Sequence, residues 1–130
     1  MDADSLAYLD KAIEGLAGAE SEYANNRYNN CANRCYYAMF QAAIAALIVA
    51  GIRPAGVRAQ WEHEFVQARF AGVLVKRRKL YRAELVAAFD PVQAARLAAD
   101  YSLSSVSKKE AGRGLDRARM FVTDVKEKLL

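Results

Sequence analysis

Histidine occurs once in this chain, at His63, and proline only twice, at Pro54 and Pro91. A single imidazole leaves little room for a histidine-rich metal site or for acid–base chemistry shared between two histidines. The seven glycines are scattered, no Ser/Gly/Pro-rich stretch suggests a linker or a disordered arm, and no internal repeat divides the chain. Cys31 and Cys35 are the only cysteines. Four apart on a helix, their Cβ atoms lie roughly 5 to 6 Å from each other, beyond the reach of a disulfide, so both read as reduced thiols in a core. Together with His63 they offer three metal ligands and no fourth, so no metal and no cofactor is expected. No segment alternates apolar and polar at period two, which argues against a sheet. The uncharged run Cys35 to Ile52 touches the lower edge of a membrane-spanning length. It is alanine-rich, carries Gln41 and the Tyr36-Tyr37 pair, and lies among amphipathic segments that need a partner, so it reads as a central bundle helix with no membrane role.

What is present is apolar and helical. A chain of 130 residues, 54% hydrophobic, can bury one core and is too short for two ordinary domains, so residues 1–130 are expected to form a single domain. Leu6, Leu9, Ile13, Leu16 and Tyr23 follow a three-four rhythm with Asp2, Asp4 or Ser5 as the N-cap. Asn25 and Asn26 mark the turn into a second helix, which begins near Arg27 or Tyr28 and stops at Gly51. A third is expected from Val57 or Arg58 to Phe70 or Ala71, with Gly72 helping to end it. Lys76 to Lys79 then reads as a basic connection. Tyr81 to Phe89 and Val92 to Tyr101 are both helical, and Asp90-Pro91 fits either a fresh start or a kink within one longer helix. Ser107-x-x-Glu110 is a capping box, after which Ala111, Leu115, Ala118, Val122, Val125 and Leu129 form one seam. These elements predict an all-α fold, an up-and-down bundle of about five helices.

Charge is unevenly placed. Arg53 to Arg82 holds eight cations against Glu62 and Glu64, so this stretch carries +6 while the whole chain carries +4, leaving −2 elsewhere. Lys76, Arg77, Arg78, Lys79 and Arg82 make its densest part, a candidate contact for RNA or an acidic protein. After Arg34 the next charge is Arg53. An arginine inside so apolar a helix is expected to lie at the centre of the fold and to need a counter-ion. Arg27, Asn30, Arg34, Tyr37 and Gln41 share a stripe whose functional reading is one wall of an RNA- or nucleotide-facing groove. His63 shares a face with Val66 and Phe70, as a partly buried histidine bonded between helices would. The first five residues contain two aspartates where a secretory signal has basic residues, so a cytoplasmic protein is expected.

Asn33-Arg34-Cys35-Tyr36-Tyr37-Ala38, followed by an aromatic and an alanine-rich run, resembles the second helix of the HEPN superfamily, in its small bacterial and archaeal branch. Ala7 to Leu16 with Ala19-Glu20 resembles that branch's first helix, Arg96-x3-Asp100-Tyr101 its Arg-x-x-Ala-Asp-Tyr signature, and Ser107 to Leu129 its last helix. The resemblance implies a helical homodimer associated with RNA or nucleotides, working with a nucleotidyltransferase in a toxin–antitoxin-like system. The groove would then be built from Asn33, Arg34, Tyr37, Arg96, Asp100 and Tyr101, unless Asp100, the acidic residue of the matched signature, instead pairs with Arg34 and clasps the second helix to the penultimate one. In HEPN ribonucleases the resemblance further implies an arginine followed, after four to six intervening residues, by histidine. Here those positions after Arg96 are Tyr101, Ser102 and Leu103. Arg58-x4-His63 fits the spacing on the wrong helix. An active metal-independent ribonuclease would therefore rest on Arg96 with Tyr101 or His63 as proton carrier, and a purely structural dimerisation bundle is the third reading.

Overall fold

A computed structural model describes residues 1–56 and 59–130. Five α-helices follow one another: α1 (Ala3–Ala24), α2 (Tyr28–Val49), α3 (His63–Arg69), α4 (Ala83–Tyr101) and α5 (Lys108–Leu129). A π-helical stretch, Phe70–Arg77, runs on directly from α3, and no strand occurs among the described residues. The central element is α2, with fourteen of its 22 residues buried and each of the other four helices packed on it. Its alanines make this possible. Where α1 crosses, a Cβ on Gly15 would stand 3.5 Å from the Cβ of Ala38, so small residues on both helices let the backbones approach.

The ends are set by local chemistry. Asp2 is the cap of α1, its carboxylate accepting from the Ser5 N–H at 2.8 Å. Asn26, at φ 62°, takes the left-handed turn between α1 and α2, which asparagine tolerates better than most residues. Ser107 caps α5, accepting from the Glu110 N–H at 3.1 Å while its hydroxyl donates to the Glu110 carboxylate at 2.9 Å. Phe70, Phe89 and Phe121 meet at ring separations of 5.0 to 6.3 Å and tie the π stretch, α4 and α5 together.

Two expectations need correction. The third helix does not end at Gly72: the chain continues as wider π turns to Arg77, and a Cβ on Gly72 would meet nothing within 4 Å, so that glycine sits in an open stretch. Its expected start at Val57 or Arg58 lies outside the described residues, and Ala59 to Glu62 precede the helix. The basic run is thus half helix, since Lys76 and Arg77 form the last π turn and Arg78 to Arg82 the connection. Asp90-Pro91 resolves as the interior of one continuous α4. Proline removes one bond to the Ala87 carbonyl, but Ala87 is exposed, so that carbonyl is open to solvent.

Candidate functional site

On the side of α2 that meets α3 and α4, polar groups gather around Tyr36. The ring is fully buried. Its hydroxyl bonds to His63 Nδ1 on α3, and Gln67, one turn further along α3, donates to the same oxygen at 3.0 Å. Gln67 also donates to Gln93 of α4 at 3.0 Å, so a continuous polar chain ties three helices together. Since the Tyr36 oxygen accepts from Gln67 and has one proton to give, His63 Nδ1 accepts that proton and Nε2 carries the imidazole's own hydrogen.

Above this network sits Arg96. Its guanidinium lies 4.9 Å from the Tyr36 ring centre and 5.7 Å from that of Tyr37, and Nη1 reaches Asp100 at 3.5 Å. The side chain is only 12% exposed and its Nε has no partner. The two tyrosine faces therefore do much of the work of holding a nearly buried cation. His63 stacks on Phe40 at 4.6 Å and on Tyr36 at 5.2 Å. Burial, then the nearby charge of Arg96, push its pKa below the ordinary value of 6.5, so the imidazole is neutral at pH 7. Burial raises the Tyr36 phenol above its usual range, with Gln67 and Arg96 pulling the other way.

Tyr37 stands at the rim. It is 42% exposed, edge-on to Tyr36, Phe40 and His63. Asn33, four residues earlier on the same side of α2, is partly buried with an unpartnered Oδ1. Arg27, Asn30 and Arg34 continue the stripe as exposed residues. Arg27 and Asn30 both turn to Glu22 of α1, at 2.6 and 3.3 Å, and the bond from Arg27 chiefly holds the Glu22 carboxyl below the usual range.

The clasp expected between Arg34 and Asp100 is absent. Arg34 lies on the α1 side of the stripe, with Nη1 and Cδ at 3.0 and 3.2 Å from where a Gly18 Cβ would be. Asp100 is bound to Arg96 within its own helix. The cause is angular: each residue advances 100° around a helix, so Arg34 lies about 160° from Tyr36 and points away from α4. It is exposed, with no ion pair among the described residues, and so never incurs the cost of burial that a central arginine would.

Of the residues singled out in the sequence, the fold brings His63, Tyr37, Arg96 and Asp100 together with Asn33 beside them. Tyr101 is 80% exposed at the end of α4, with Leu97 and Leu103 nearby also exposed, and takes no part in the cluster. The basic run is remote. Arg78 donates to the Ala50 carbonyl at 3.0 Å, thirteen residues beyond Tyr37 and thus about 20 Å along the α2 axis. Arg58 lies outside the described residues. Cys31 and Cys35 face α5, where the Cys31 sulfur is 4.0 Å from the Ala111 carbonyl and a Gly114 Cβ would be 3.9 Å from that of Cys35. They are on the opposite side of α2 from His63. Contact with Cys31, then burial, keep the Cys35 thiol protonated. Gln67 and Gln93 were not singled out, although each is a polar residue one turn from a motif residue, four after His63 and three before Arg96.

A family model for the HEPN domain matches residues 5–128. The chain belongs to the HEPN family. This HEPN domain finds no match among curated proteins. Its all-α bundle is the architecture expected of the family, and the family is consistent with a helical module related to RNA or nucleotides. No helix among the described residues is long and apolar enough to cross a membrane.

Proposed function

We propose that this HEPN domain binds RNA or a nucleotide on the exposed stripe of α2, with a base stacked on Tyr37 and phosphate held by Arg34. Tyr37 carries the reading: a large aromatic left 42% exposed, its ring braced by a nearly buried guanidinium. Stacking on such a platform contributes about 1 to 3 kcal/mol per base. Arg34 is three residues away on the same helix and forms no ion pair among the described residues, although Glu22 lies within its field, so its fork is available to a phosphate. The domain acts as a homodimer through the outer side of α4, where Leu97, Tyr101 and Leu103 are exposed, and works beside a nucleotidyltransferase in a toxin–antitoxin-like system. Labelled single-stranded RNA and free nucleotides, titrated by fluorescence anisotropy over a range of salt, provide the test. Arg34→Ala and Tyr37→Ala should each weaken binding about tenfold or more with the fold intact. Binding indifferent to both changes, or none at all, rejects the proposal.

A second reading is favoured by one observation, the proximity of His63 to Arg96. The missing histidine of the penultimate helix would be replaced in space by one from α3, held neutral, whose Nδ1 would take a proton once the bond from the Tyr36 hydroxyl is given up, with Arg96 supplying positive charge. RNA cleavage in the presence of a chelator, lost in His63→Ala, is its signature. Tyr101 has no comparable support.

A further inference from the structure

The far end of α2 carries a surface that the groove does not use. A depression of about 340 Å³ is lined by the aliphatic residues Ala46, Val49, Ala50 and Leu80 together with the cations Arg78 and Lys128. Val49 is 49% exposed and Leu80 39%. Arg78 is held in position by the Ala50 carbonyl at 3.0 Å, and the Lys128 ammonium lies 6.0 Å from the Tyr81 ring centre. Lys76, Arg77 and Lys79 flank them, and none of these five forms an ion pair among the described residues. The carboxylates alongside are Asp124, already bound to Arg82 at 2.7 Å, and Glu127.

The chain spends stability to keep this arrangement. Lys79 has φ 54°, a left-handed position where glycine fits without strain and another residue costs roughly 1 kcal/mol. Leu80 is fixed by its N–H bond to the Leu74 carbonyl at 2.7 Å, so it is presented outward by a closed turn. An aliphatic depression edged by cations that form no ion pair among the described residues is complementary to an apolar side chain flanked by carboxylates. It suits RNA poorly, since the one aromatic ring present, Tyr81, is only 8% exposed and offers no face for stacking. A second copy of the same surface would set cation against cation.

We propose that this end of the bundle is a docking site for an acidic, amphipathic segment of a partner protein, an aliphatic side chain entering the depression while its acidic neighbours meet Arg78, Lys79 and Lys128. The site is about 20 Å along α2 from Tyr37, and the proposal does not depend on what the groove binds.

Selection from a random-peptide display library against the folded full chain is the test. The enriched peptides should combine an aliphatic residue with neighbouring aspartate or glutamate. Their affinity, read by anisotropy on labelled synthetic copies, should fall about tenfold or more in Leu80→Asp, in the exposed-site variant Val49→Asp, and in the Lys79→Glu/Lys128→Glu double variant. Circular dichroism should be unchanged in at least one of these, and Tyr37→Ala should leave peptide affinity as it was. The proposal is overturned if no acidic-aliphatic peptide is enriched. Peptides that bind equally well with serine for the aliphatic residue would also overturn it, as would displacement by single-stranded RNA or anionic vesicles whose own binding ignores Val49 and Leu80.

Discussion

Replacing Tyr36 by phenylalanine removes one oxygen and keeps the ring, and so isolates the polar chain that joins α2, α3 and α4. Two hydrogen bonds are lost, from the hydroxyl to His63 and from Gln67 to the hydroxyl. Gln67 retains its bond to Gln93, whereas His63 Nδ1 is left without a donor. At about 1 kcal/mol net for each bond, and about 1 more for the stranded nitrogen, the domain should lose roughly 2 to 3 kcal/mol. For a chain of this length that lowers Tm by about 8 °C. Burial, then the charge of Arg96, hold the His63 pKa below 6.5; a hydroxyl that donates to the neutral imidazole should add to that hold, so its loss should let the pKa rise. Because His63 is the sole histidine, its ring proton signal in an NMR titration is unambiguous. Linkage fixes the pH dependence. The folded pKa lies below the unfolded one, so the unfolded chain takes the proton first; the contribution to stability is full above about pH 6.5 and is lost as pH falls through the folded value. A wild-type His63 titrating at or above 6.5, or a titration unmoved by Tyr36→Phe, would refute the assignment of Nδ1 as the acceptor and the network built on it.

The two arginines of the motifs should part company. Arg34→Ala should change unfolding free energy by no more than about 0.5 kcal/mol in urea titrations, whereas Arg96→Ala, which empties a cation site between two rings, should cost about 2 to 3 kcal/mol. Equal losses from both would restore Arg34 as a structural clasp. Gly18→Ala should raise the unfolding free energy from urea titrations by up to about 1 kcal/mol through helix propensity, because the atoms it meets belong to a flexible arginine that can swing aside. The same change should weaken RNA binding by displacing Arg34, and a clear loss of stability would mean that Arg34 is not free to move. If the domain pairs through α4 as proposed, the wild type should be a dimer in light scattering and Leu97→Asp a monomer with the helical spectrum unchanged; a wild-type monomer at high concentration would remove the α4 face from consideration.

How far the fold and the groove could be read in the sequence follows from what spacing encodes. The apolar rhythm of α1 and α5, the capping box at Ser107 and the asparagine turn are local signals, and each led to the right element. The π continuation of α3 has no such signal: Gly72 reads as a stop by propensity, but Phe70 and Leu74, buried against the neighbouring helices, keep the chain winding beyond it. Arg34 misled for a related reason. A lone charge in an uncharged run suggests burial, but charge density along a chain says nothing of the angle at which a side chain leaves the helix, and Arg34 leaves toward the seam beside Gly18. Of the Tyr36 network only the histidine was legible, as one bonded between helices; Gln67 shares its face one turn on, but no spacing rule relates α3 to Tyr36 on α2 or to Gln93 on α4.

That same geometry makes position 101 informative. The histidine implied by the ribonuclease members of the family would follow Arg96 after four intervening residues, where this chain has Tyr101. The side chain is 80% exposed, so Tyr101→His should alter stability by less than about 0.5 kcal/mol and act on chemistry alone. If the domain is a binding module that lacks only its proton carrier, the wild type should leave single-stranded RNA intact and Tyr101→His should begin to cut it, with cleavage rising as pH approaches 7 and the new imidazole loses its proton. If His63 already serves beside Arg96, the wild type should cut, His63→Ala should abolish cutting, and Tyr101→His should add little. Cleavage by neither protein would mean that more than a histidine separates this groove from a nuclease, because Arg96, locked between Tyr36, Tyr37 and Asp100, would then be unable to reach a phosphate at all.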